Sequence, residues 1–94
     1  MSAELSRLHS ILNSEEVVPG TAYRRNMAIY ELVCYVNCLI GCVESDRRHV
    51  MPAFIRRSRV FMDMHPSPTY ERYYSVVRSY LTEVQQAFEV GEEL

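Results

Sequence analysis

Toward the end of the chain, apolar side chains fall at Tyr70, Tyr74, Val77, Leu81, Val84 and Phe88, alternately four and three residues apart. Residues at that spacing share one face of a helix, as in a heptad seam, though the run is shorter than a coiled coil needs. Ser67 can cap this helix, Pro68 opens it, Glu71 lies in its first turns and Gly91 ends it.

A longer helix is expected from about Ala22 to Ser45, with Thr21 as N-cap. Between Met27 and Val43 only Glu31, Asn37 and Gly41 interrupt the apolar run. Ile29, Leu32, Val36, Leu39, Ile40 and Val43 form a bulky stripe, and Glu31, Cys34, Cys38, Gly41, Cys42 and Ser45 form a second one, small after Glu31. A helix apolar on so many sides is buried on many sides. The bulky stripe is expected to face the chain's own core. Cys34, Cys38, Gly41 and Cys42 are expected to meet a second copy. A membrane span is the weaker reading, because the run is only marginally long enough and Glu31 and Asn37 are costly in lipid.

Two shorter helices complete the pattern. One runs from about Ser2 to Asn13, with Ser2 as cap, Glu4 in its first turn and Leu5, Leu8 and Leu12 on one face. The linker after it carries the turn signal Pro19-Gly20, and Val17-Val18 is too short to read as more than a strand stub. The other helix spans about Pro52 to Met64, with Phe54, Ile55, Phe61 and Met62 on a shared face and Arg56, Arg57 and Arg59 on others. His65-Pro66-Ser67-Pro68 stops it. The expected fold is all-α, a compact bundle of about four helices, two long and two short, paired into a dimer. Residues 1–94 read as one domain, with 90–94 a frayed acidic tail. A chain of this length buries only a thin core, which association would thicken.

Composition adds one strong bias. All ten basic residues are arginine and none is lysine. A guanidinium is a planar fork of donors suited to phosphate, carboxylate and aromatic faces, whereas lysine is also the target of ubiquitination. Drift in base composition, selection for arginine chemistry and avoidance of lysine modification all stay open as causes. The formal net charge is −2, but Thr21 to Val60 holds seven arginines against three acids, and Glu89, Glu92 and Glu93 close the chain. A basic middle between acidic ends is a pattern of binding or of internal neutralisation.

Candidate chemistry is sparse. Cys34, Cys38 and Cys42 look like metal ligands until they are set on a helix, where the outer two lie about 12 Å apart along the axis. One straight helix cannot bring all three to one zinc ion, so small packing residues are the favoured reading, and no metal or cofactor is expected. His9, His49 and His65 have no nucleophile at motif spacing, and no phosphate-binding loop, dinucleotide fingerprint or hydrolase elbow occurs. The chain reads as a non-enzyme. Its odd number of cysteines and a start without a signal-peptide pattern favour a reducing, intracellular location.

Two functional classes follow. The first is a self-associating protein–protein interaction module with Arg24, Arg72 and Tyr73 as exposed anchors. A short, lysine-free build without catalytic motifs suits an accessory protein of viral or effector type, or an adaptor beside a ubiquitin ligase. The second class is a helical dimer that binds duplex RNA through Arg24, Arg25, Arg47, Arg48, Arg56, Arg57 and Arg59 by phosphate contacts. Ordinary solvated or ion-paired arginines are the plainer reading of those positions.

Overall fold

The computed structural model describes residues 5–9 and 21–88, with the side chains of 21–28 excepted. The expected Ser2 cap, Leu12, the Pro19-Gly20 turn, Val17-Val18, the Gly91 stop and the 90–94 tail all lie outside the described residues. Among the described residues there are four helices and no strand: α1 (residues 5–9), α2 (Thr21–Glu44), α3 (Met51–Met64) and α4 (Glu71–Phe88).

The helix ends follow local chemistry. At the end of α2 the Arg47 N–H donates to the Cys42 carbonyl at 2.9 Å and the Asp46 N–H to the Val43 carbonyl at 3.3 Å. This pair of bonds is a Schellman cap, which needs a left-handed residue, and Asp46 supplies it at φ 53°. No side-chain cap starts α3, which begins at Met51 with Pro52 in its first turn, where a missing N–H costs nothing. Pro66 follows its end. Before α4, the Tyr70 N–H approaches Ser67 Oγ at 3.4 Å and the Ser67 carbonyl at 3.2 Å, so Ser67 holds the turn that launches the helix.

The predicted stripes form the core. On α2, Ile29, Leu32, Val36, Leu39 and Ile40 are buried and Val43 is half-buried. On α4, Tyr74, Val77, Leu81 and Val84 are buried, with Tyr70 and Phe88 half-buried at the ends of the seam. Met51, Ile55, Phe61 and Met62 come from α3, and Leu5 from α1. Each fully buried large aliphatic side chain contributes about 1.5–3 kcal/mol. The backbones of α2 and α3 run closest together, while α4 approaches α3 at few points. Tyr73, Tyr74 and Tyr80 lie on the buried face of α4, and long rings of this kind carry its packing without close backbone approach. Ser58 sits fully buried in the middle of α3 and is satisfied by donating to the Phe54 carbonyl at 2.8 Å. Among the described residues no helix is long and apolar enough to cross a membrane.

Two expectations are corrected. Tyr73 is not an exposed anchor: it is 3% exposed, because the buried arc of α4 is wider than its heptad seam. Cys42 does not share the surface of the other small residues of α2. It is 7% exposed and belongs to the core, whereas Cys34, Cys38 and Gly41 face outward.

Candidate interaction surface

A groove of about 450 Å³ runs between α2 and α3. Glu31 and Tyr35, one helical turn apart, form its α2 wall. Ala53, Arg57, Val60 and Met64 follow one another along α3 at spacings of four, three and four, beside Arg56 and Phe61. Ala53, Val60 and Met64 thus give α3 a second apolar seam, broken by Arg57, distinct from the buried one and open to solvent. Val60 is 44% and Met64 70% exposed, the large apolar side chains left outside among the described residues. Exposed apolar seams beside a concave surface mark association sites more often than chance exposure does.

The charges on this groove are unbalanced within the chain. Arg56, Arg57 and Glu31 are exposed, and none of them makes an ion pair among the described residues. The Arg57 guanidinium lies 5.9 Å from the centre of the Phe54 ring, which holds it along the α3 surface. At the far end, the Tyr74 hydroxyl donates to the His65 carbonyl at 2.7 Å, and the His65 ring packs 4.6 Å from Phe61. These contacts tie the turn after Met64 to α4 and make that end of the groove firm.

The small stripe of α2 continues the same outer surface. Cys34 and Cys38 are exposed, one turn apart and next to Glu31 and Tyr35 on the helix. A Cβ added at Gly41 would meet nothing within 4 Å. Among the described residues Gly41 therefore borders open space, and no packing there requires a glycine.

The arginines named from the sequence divide into separate groups. Arg24 and Arg25 lie in the first turns of α2 and Arg47 and Arg48 just past its end, so the helix separates them by about 35 Å. The side chains of Arg24 and Arg25 are outside the described residues. Arg48 pairs with Asp46 at 2.8 Å and stacks 5.1 Å from the Phe88 ring. Arg59 is half-buried and donates to Gln85 Oε1 on α4. Arg72 is exposed on α4. Only Arg56 and Arg57 stand together on the groove.

A buried polar pair and a buried tyrosine hydroxyl escaped sequence reasoning. His9 Nε2 lies 2.7 Å from the Tyr73 hydroxyl, with their ring centres 5.4 Å apart. Burial lowers the His9 pKa from its ordinary value, against a smaller rise from a hydrogen bond with Asn37. Burial, aided by the nearby Tyr74, holds the Tyr73 hydroxyl well above the usual tyrosine range. The spacing of Leu5, Leu8 and His9 on one helical face was the available hint. Tyr80 is 4% exposed, and its hydroxyl has no hydrogen-bond partner among the described residues. Burial, with Glu83 and Glu44 nearby, pushes it up to about 12. It borders a second cavity of about 600 Å³ along α4, with Arg72, Ser79 and Glu83 among the lining residues. Among the described residues no cluster of three metal-ligating side chains occurs.

No protein family model, curated protein or solved structure matches this chain.

Proposed function

We propose that this chain is a non-enzymatic, self-associating protein-interaction module, and that a second copy occupies the α2–α3 groove. The observation that carries this reading is the seam Ala53, Val60 and Met64 beside Tyr35 and Phe61, apolar yet open to water. The core of so short a chain is thin, and covering this seam adds apolar burial that one copy lacks. The groove also bears exposed charges of both signs, which suits a like surface. Exposed Cys34, Cys38 and Gly41 lie beside it, so the interface expected on that stripe is widened toward α3, with Cys42 withdrawn into the core.

The measurement is molar mass in solution by light scattering over a wide range of concentration. A species of twice the 11.0 kDa chain, lost on Met64→Glu with helix content unchanged, supports the reading. A wild-type chain that stays monomeric at hundreds of micromolar refutes it.

Arg24 and Arg72 remain the proposed contacts for a further protein partner, without Tyr73. The absence of lysine suits an accessory protein working beside a ubiquitin ligase. The free thiols of Cys34, Cys38 and Cys42 suit a reducing, intracellular compartment. Duplex RNA is the second reading, favoured by the exposed and unpaired Arg56 and Arg57 and weakened by the local engagement of Arg48 and Arg59. A gel shift at low and physiological salt tests it, because phosphate contacts lose affinity steeply as salt rises.

A further inference from the structure

We propose that two copies of this chain meet on the α2–α3 groove about a two-fold axis, with Glu31 of each copy facing Arg56 and Arg57 of the other. The inference rests on the self-association proposed above and specifies its geometry.

The argument starts from charge. Glu31 belongs to the α2 wall of the groove, and Arg56 and Arg57 to the α3 side. All three are exposed, and none is neutralised by an ion pair among the described residues. A surface carrying both signs apart from one another is complementary to itself after a half-turn. An isologous interface makes each contact twice, residue i of one copy on residue j of the other and the reverse. One rotation therefore satisfies the charges of both copies.

Shape supports the same rotation. Met64, the most exposed large apolar side chain among the described residues, projects from the end of the seam near His65. A half-turn that exchanges the α2 wall with the α3 side keeps the two ends of the groove in place, so Met64 of one copy comes against the α2 wall of the other. Methionine is unbranched and polarisable and packs on such a wall without a fixed fit. The charges then flank a central apolar strip, the usual arrangement of apolar core and polar rim.

The test exchanges the charges. Glu31→Arg alone places like charges opposite one another in a homodimer, and so does the double variant Arg56→Glu/Arg57→Glu. Each variant on its own is expected to dimerise at least about tenfold more weakly than wild type. Mixed together they restore both contacts, because Arg at position 31 of one chain meets the new acids of the other and native Glu31 meets native arginines. The mixture is therefore expected to form a heterodimer near wild-type strength, read by light scattering and by native mass spectrometry of differently tagged chains. All the substituted residues are exposed. Circular dichroism melts check that every variant keeps its fold.

If the wild type dimerises and Met64→Glu abolishes the dimer, but the mixture stays as weak as its components, the two-fold charge pairing is overturned and the groove reading survives. If the wild type never associates, the groove reading itself fails. Recovery in the mixture alone is the result that establishes the pairing.

Discussion

Two tyrosines on α4 differ in one respect, and removing one oxygen from each separates their roles. Tyr73 and Tyr80 are 3% and 4% exposed, and both bury a full ring. The Tyr73 hydroxyl sits 2.7 Å from His9 Nε2, whereas the Tyr80 hydroxyl has no partner among the described residues. Tyr→Phe keeps the ring and nearly the volume, so packing changes little. Tyr73→Phe leaves a buried imidazole nitrogen without its bond, which costs about 1–3 kcal/mol. Tyr80→Phe removes a buried polar group with no partner among the described residues, so it is expected to leave stability unchanged or raise it by about 1 kcal/mol. The two variants should therefore differ by about 1–4 kcal/mol, with Tyr80→Phe the more stable. Urea unfolding at one fixed protein concentration resolves this, with the slope of the transition checked for constancy because association also adds to apparent stability. In a melting experiment, each kcal/mol corresponds to about 4–8 °C in a domain of this size. Equal losses for both variants would refute the reasoning, because they would mean that the Tyr80 hydroxyl is satisfied in the folded chain.

The other predictions are briefer. Asp46→Gly is expected to raise stability by about 1 kcal/mol by removing the left-handed strain of the α2 cap, against a small loss of the exposed pair with Arg48, as read from the urea midpoint. His9 takes up its proton at lower pH in the folded chain than the ordinary 6.5, so between the two values the unfolded chain binds more protons and stability falls as pH is lowered. Comparing urea midpoints at pH 7.5 and 5.5, a steeper loss in wild type than in His9→Gln is the expected result. Ile55→Ala, at a position with no exposure on α3, is expected to cost about 2–5 kcal/mol. In the native chain at low concentration Cys34 and Cys38 should react quickly with a thiol reagent and Cys42 only on unfolding, as followed by mass spectrometry.

Periodicity was enough to place the bulky stripe of α2 and the seam of α4, because residues at helical spacing share a face whatever they pack against. Proline likewise announced the start of α3, whereas α4 begins at Glu71 and not at Pro68, because Ser67 and Pro68 form a turn before it. The cap of α2 was less legible. Aspartate at position 46 stands where glycine is usual, and only the observed φ and the paired carbonyl bonds reveal it.

The width of each buried face was not written in the spacing. Tyr73 and Tyr80 lie beside the α4 seam, and Cys42, read as part of the small stripe of α2, turns into the core. Whether such flanking residues are covered depends on how many neighbours press on the helix and from which side. The bond between His9 and Tyr73 joins residues 64 apart in the chain. The groove needs Glu31 and Tyr35 from one helix and Val60 and Met64 from another, so it exists only once α2 and α3 lie together. The sequence by itself determined that the chain is helical, where α3 begins and which stripes are apolar, because those properties arise from contacts within a few residues. The tertiary structure alone decided which arginines stay free, which tyrosines are buried and where an apolar seam is left open, because those depend on which faces meet in space.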